Sequence, residues 1–132
     1  MINIKVEIKG EIDMPSFIKE FEFSDNDEAI FLNSVDMIKL KLSKNMRLNI
    51  NEALIVYSAY VASEIRSKRS VKNIENNASK ILTIDNVLIG VPETLRKITF
   101  DAMIDNQPKT QIIFNEPIPP SNYILTTESL RI

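Results

Sequence analysis

The sequence contains no cysteine and no histidine, and these two absences exclude more functions than any of its motifs suggests. Without cysteine, the chain has no disulfide, no thiolate nucleophile and no cysteine-ligated metal site. Without histidine, it lacks the commonest transition-metal ligand and the commonest general base of proteins. Ser-His-Asp catalysis and histidine-ligated zinc or nickel sites therefore cannot be built from this chain alone.

Glycine and long hydrophobic runs are also scarce. Only two glycines occur, so the chain has no glycine-rich loop for a phosphate group. The longest apolar window, residues 53–62, is too short to span a bilayer, and the N-terminus lacks the apolar region of a signal peptide. A net charge of −2 and a pI of about 5.2 give no electrostatic reason to expect nucleic acid or an anionic membrane as a partner. We expect a cytoplasmic protein with neither kind of partner.

Residues 46–69 hold the most apolar stretch of a chain whose 132 residues and 44% hydrophobic content suit one domain. Only Ser58 interrupts the apolar run at its centre, which predicts a helix that is buried on most sides. Asn49 is placed to cap this helix, and Glu52 stands where it would complete a capping box. We expect the helix to span Ile50–Lys68 and the other elements to pack around it.

Capping residues and apolar stripes predict three further helices. The first begins at Ser24 and ends near Asn45, a residue suited to a left-handed cap. Ser70 caps the third helix. Thr83 caps a short fourth helix, which Gly90 ends and Pro92 prevents from restarting. The stripes are Phe31, Val35, Ile38 and Leu42 in the first helix and Val71, Ile74, Ala78 and Ile81 in the third.

Both ends of the chain alternate with the period of two that is typical of strands. Residues 2–8 place isoleucine and valine on one face, and residues 17–23 provide a second strand that can pair with the first. Residues 98–114 are typical of a β-hairpin that turns at 105–108. A last extended segment is expected at 123–132. Strands, then helices, then strands indicate the α+β class.

Two motifs resemble the gamma subunit of urease. Residues 48–53, Leu-Asn-Ile-Asn-Glu-Ala, are similar to its Leu-Asn-Tyr-Pro-Glu-Ala segment. Residues 81–93, Ile-Leu-Thr-Ile-Asp-Asn-Val-Leu-Ile-Gly-Val-Pro-Glu, are similar to its Val-Leu-Thr-x-x-x-Val-Met-x-Gly-Val-Pro-Glu. The order of helices and hairpin matches as well, over residues 24–118. Residues 118–132, which begin Ile-Pro-Pro-Ser, resemble the opening of the urease beta subunit, which begins Ile-Pro-Gly-Glu. Residues 1–23 have no counterpart in the gamma subunit.

The resemblance implies a single domain, residues 1–132, with a four-helix urease gamma-like bundle followed by an antiparallel β-hairpin. Extra N-terminal and C-terminal strands, in 1–23 and 119–132, would flank it. The implied function is that of a non-catalytic structural subunit in a urease, an amidohydrolase complex. It would support a nickel-bearing catalytic subunit in urea hydrolysis and help to build an oligomer, with alpha-like and beta-like subunits as partners.

Under this interpretation the chain itself holds no cofactor, metal or catalytic residue, and nickel is expected only in the partner subunit. The candidate interface residues come from the two motifs: Arg47, Leu48, Asn49, Glu52, Gly90, Val91, Pro92 and Glu93.

Other interpretations remain open. The chain can be a divergent, stand-alone gamma-like module that self-associates, in which residues 1–23 and 119–132 complete the sheet within one chain or between copies. An enzyme that uses carboxylates or lysine has no motif to support it. Capping alone explains Asn49 and Glu52. Tyr57 and Tyr60 suit core positions with one hydroxyl hydrogen-bonded at the edge.

Overall fold

The computed structural model describes residues 2–10, 17–23, 25–104 and 107–119, and this part of the chain combines an antiparallel sheet with helices. Its strands are β1 (Ile2–Lys9), β2 (Phe17–Phe23), β3 (Lys97–Ile104) and β4 (Thr110–Asn115). Its α-helices are α1 (Asp25–Ser43), α2 (Ile50–Arg66), α3 (Val71–Asn77) and α4 (Val91–Thr94). The predicted α+β class is confirmed. The last predicted extended segment, 123–132, lies outside the described residues.

The sheet has the order β2-β1-β3-β4, so the first strand of the chain lies inside it rather than at an edge. β1 pairs with β2 in an antiparallel hairpin and pairs on its other side with β3, from Ile2 opposite Ile104 to Lys9 opposite Lys97. β3 pairs with β4 in the predicted hairpin. The strict alternation of residues 2–8 correctly predicted β1, because a half-buried strand needs that period.

One face of the sheet forms the core with the helices. Phe100 and Phe114 make an edge-to-face contact with ring centroids 5.0 Å apart, and Tyr57 of α2 packs against Phe114 at 5.8 Å. The opposite face carries polar or exposed residues such as Glu7 and Gln111. The helices that the structure describes therefore cover the apolar face of the sheet. The buried residues of that face are Ile4, Val6, Ile8, Ile98, Phe100, Ala102, Ile112 and Phe114.

α2 is the buried central helix that its composition predicts. The predicted capping box between Asn49 and Glu52 is present. The helix ends at Arg66 rather than at Lys68, because Lys68 has a φ of 59°, which a right-handed helix cannot accommodate. α1 ends as predicted before Asn45, which adopts a left-handed conformation with φ 59°. Ser24 lies outside the described residues.

Contacts from α3 hold the helical layer to the sheet. The Glu75 carboxylate accepts a hydrogen bond from the Ile113 N–H of the edge strand β4, at 2.8 Å. The Tyr60 hydroxyl of α2 donates to the Ile74 carbonyl at 2.8 Å. Burial and the nearby negative charge of Glu64 raise the pKa of this hydroxyl. Because the Glu75 contact occupies an otherwise open N–H of β4, it also protects that edge of the sheet.

The fourth helix differs from its prediction. Thr83 opens only a 3-10 turn, Ile84–Asn86, in which the Asn86 side chain accepts from the Thr83 N–H at 2.8 Å. Gly90 precedes a helix instead of ending one, since the four-residue α4 follows it. Pro92 does not prevent a restart: it stands in the first turn of α4, where a missing N–H costs no hydrogen bond.

Candidate partner-binding surface

A short parallel bridge joins the two motifs that are about thirty residues apart in the sequence. Leu48 pairs with Val87, and both side chains are buried. The Leu48 N–H donates to the Asn86 carbonyl at 2.8 Å, and the Leu88 N–H donates to the Leu48 carbonyl at 2.9 Å. The start of α2 and the segment before α4 are therefore held together by backbone hydrogen bonds and a shared apolar contact.

The polar residues of the first motif stabilise the start of α2. The Asn49 side chain accepts from the Glu52 N–H at 2.8 Å, and the Glu52 carboxylate accepts from the Asn49 N–H at 3.0 Å. The same carboxylate receives the Lys41 ammonium of α1 at 2.5 Å. Burial raises the pKa of Glu52, but the hydrogen bonds from Lys41 and from the Asn49 backbone, with the Lys41 charge, outweigh it and hold the pKa below its ordinary value. The Glu52 carboxylate thus links α1 to α2 through Lys41.

The second motif turns sharply at Gly90, whose φ of 94° favours glycine because a residue with a Cβ would be strained there. The Gly90 carbonyl accepts both the N–H of Thr94, at 3.1 Å, and the hydroxyl of Thr94, at 2.8 Å. Val91, which follows, is buried in the core. These contacts determine the conformation of the loop on both sides of the turn.

The loop presents large apolar side chains to solvent. Ile89 is 97% exposed, and the neighbouring Leu88 is 46% exposed. Together they line an open depression of about 270 Å³. Its other lining residues are Asn49 and Ile50 at the start of α2, Gly90, and Val91 and Thr94 of α4. Ile89 and Leu88 therefore form a small exposed apolar patch beside the hydrogen-bonded turn.

The eight predicted interface residues have different environments. Arg47, Asn49 and Glu93 are exposed, whereas Glu52, Gly90 and Pro92 are half-buried and Leu48 and Val91 are buried. The depression gathers Asn49, Gly90 and Val91. A second depression, of about 150 Å³, is lined by Pro92 and Glu93 with Ile84, Arg96, Glu116 and Ile118.

Sequence reasoning did not single out Ile89, and it placed Leu88 in the short fourth helix predicted to run from Thr83 to Gly90. Of the three charged residues that line the second depression, Arg96 and Glu116 form a surface ion pair at 2.6 Å, and Glu93 is the third.

The described part of the chain contains no cluster of three or more histidine, cysteine, aspartate or glutamate residues that suits a metal ion. Among the helices described here, none is both long enough and apolar enough to cross a membrane.

Comparison with known proteins identifies the family. The model of the family "Urease, gamma subunit" matches residues 20–118. The urease subunit gamma of Halalkalibacterium halodurans (strain C-125) is 29% identical over 92 residues, covering 69% of this chain and 91% of that subunit. The urease subunit gamma of Prochlorococcus marinus (strain NATL1A) is 24% identical over 91 residues, with the same coverage of 69% and 91%. Because the family model spans most of the chain, including both motifs, the protein belongs to the urease gamma subunit family.

Proposed function

We propose that this chain is a non-catalytic, cytoplasmic subunit of a urease or urease-like complex, in which it supports a nickel-bearing catalytic subunit. Its family membership supports a role as a urease subunit. The observation that carries the proposal further is the position of Ile89, which is 97% exposed within the second family-like motif. An exposed apolar side chain on a well-supported loop is the kind of residue that anchors a protein–protein interface.

The proposed interface has an apolar centre and a polar margin. Leu88 and Ile89 would form the centre. The margin would include the exposed Arg47, just before the first motif, and the exposed Glu93, at the end of the second motif. Such an arrangement is typical of protein interfaces, where the buried centre is apolar and the margin stays polar. In this proposal the buried Leu48 acts indirectly, because it holds the loop against α2 through its pairing with Val87.

The nickel of a urease does not fit this chain. Nickel sites of the kind implied by the family resemblance need histidine ligands, and the sequence has none. The described residues also provide no acidic cluster of three or more groups in their place. We therefore assign the metal and the hydrolysis of urea to a partner subunit, and we assign to this chain the support of that partner. The expected partners are alpha-like and beta-like urease subunits.

The test is a native pull-down of the tagged chain, with mass spectrometry and nickel analysis of the eluate. The expected result is a large, histidine-rich partner that carries nickel. Ile89→Asp should lose this partner, because it places a charge at the proposed centre. Met37→Asp is the matched control, since Met37 is 71% exposed on α1, and it should keep the partner. Recovery of the chain alone, or equal recovery by both variants, would contradict the proposal.

A stand-alone gamma-like module is the second candidate. It is favoured by the pairing of β1 with β3 inside one chain, which completes the sheet without any partner. A protein of this kind would purify alone as a folded species of one defined size or as a defined self-associated oligomer. Light scattering of the purified chain, done beside the pull-down, separates the two candidates, because an isolated subunit that needs its partner should aggregate or lose its fixed structure.

A further inference from the structure

The N-terminal strand is an addition that has become part of the core. The family model begins its match at residue 20, so β1 precedes all of the matched region. Nevertheless, β1 lies between β2 and β3 in the sheet. Its inward residues Ile4, Val6 and Ile8 are at most 1% exposed. A segment outside the family match therefore fills the interior of the sheet.

The place that β1 occupies has the features of a peptide-binding groove. One wall is the edge of β3, which offers backbone hydrogen bonds along Lys97–Ile104. The floor is the apolar core, where Val6 lies opposite Phe100 and Ile8 lies opposite Ile98. Strand addition of this kind obtains affinity from the backbone pairing and selectivity from the alternate side chains.

We infer that the β3 edge is a binding site for an extended antiparallel strand with apolar residues at alternate positions, and that this chain fills the site with its own residues 2–9. The register is selective, because a slip by one residue would turn Ile4, Val6 and Ile8 out to solvent and bury Lys5 and Glu7. Lys5 stands opposite Asp101 in the native register, which adds a charge match on the outer face.

This site is different from the surface at Ile89, and the inference does not depend on the proposed function. It means that the chain completes its sheet without a strand from another protein. It also means that a free peptide with the sequence of β1 can compete for the same groove. Ile8 pairs with Phe17, and residues 9–16 separate them in the sequence, so a cleavage site can be introduced between the two strands.

The experiment begins with the intact chain in which a protease recognition sequence replaces residues 11–16. The folded protein is cleaved there, and the nicked species is passed over a gel-filtration column. We expect the N-terminal fragment to stay bound to the rest of the chain. A fluorescently labelled peptide of residues 1–10 is then added in excess, and fluorescence anisotropy follows its exchange with the bound fragment.

Two unlabelled competitor peptides provide the matched comparison. A peptide with Glu7→Gln should compete as well as the native sequence, because Glu7 is exposed on the outer face. A peptide with Val6→Asp should compete roughly a hundredfold less well or worse, because it would bury an unpaired charge in the core. Equal competition by the two peptides would refute a register-specific site.

Two other outcomes are decisive. If the nicked fragment separates at once and the remaining chain keeps its circular dichroism spectrum and monomeric size, then β1 does not fill a required groove and the inference is overturned. If the remaining chain instead associates after losing the fragment, and the native peptide returns it to monomers, the inference is supported. The second result would follow from the exposed β3 edge, which pairs with other copies until the peptide covers it.

Discussion

Replacing Ile8 with alanine measures how much the N-terminal strand contributes to the core. Ile8 is fully buried opposite Ile98 of β3 and lies before the region that the family model matches. The substitution removes three carbon groups, which costs about 2.4 kcal/mol in transfer free energy at about 0.8 kcal/mol for each group. The cavity left behind adds roughly 1–2 kcal/mol, because neighbours relax only in part. Together these terms lower the expected free energy of unfolding by about 3.4–4.4 kcal/mol.

Urea denaturation followed by circular dichroism provides the assay, and the melting temperature should fall by roughly 15 °C in parallel. Ile18→Ala is the control, because it makes the same chemical change at a side chain that is 57% exposed on the neighbouring strand. Ile18→Ala should change the free energy of unfolding by no more than about 0.5 kcal/mol. If the two variants lose equal stability, or Ile8→Ala loses less than about 0.5 kcal/mol, the position of β1 in the core is refuted.

Three further predictions concern the helical layer. Gly90→Ala should lower the free energy of unfolding by about 1–2 kcal/mol through backbone strain alone, since an added Cβ would meet no atom within 4 Å. A loss far above this range would indicate crowding instead. Tyr57→Phe should leave stability unchanged or raise it by up to about 1 kcal/mol, because the Tyr57 hydroxyl is buried without a hydrogen-bond partner among the described residues. Tyr60→Phe should lower the free energy of unfolding by about 1 kcal/mol, because the substitution removes the hydrogen bond to the Ile74 carbonyl. Equal losses of stability in the two tyrosine variants would contradict this reasoning. Because its pKa is lowered in the folded state, ionised Glu52 should contribute to stability above pH 4.5, and this contribution should be lost as the pH falls through the folded-state pKa of Glu52. The advantage of the native chain over Glu52→Gln, about 0.5 kcal/mol at pH 7, should therefore shrink on acidification, and a constant difference in denaturation midpoints down to pH 3 would count against it.

The Tyr57 prediction depends on an environment that differs in part from the sequence-based expectation. Tyr57 was expected to be a core residue, and it is fully buried. Burial also raises the pKa of its hydroxyl well above the ordinary value. The expected hydrogen bond at the edge of the core is made by Tyr60 instead. Spacing along α2 places both tyrosines near the core, but only the packing decides which hydroxyl reaches a carbonyl.

Local features of the sequence predicted most of the elements. The alternation in residues 2–8 predicted β1, and the capping residues Asn49 and Ser70 predicted where α2 and α3 begin. These predictions succeed because a strand period or a capping hydrogen bond involves residues only a few positions apart. The prediction that Gly90 and Pro92 end a helix was wrong because it too used only local signals. Both residues suit either the end of one helix or the start of the next.

Only the tertiary structure decided how these elements meet. The sequence by itself determined the α+β class, the buried α2, and the two motifs that resemble the urease gamma subunit. It did not determine that β1 lies inside the sheet, that Leu48 pairs with Val87, or that Ile89 is exposed. A strand's own pattern specifies which face is buried but not which strand lies beside it, and the exposure of a loop residue depends on distant segments that cover it or leave it open to solvent.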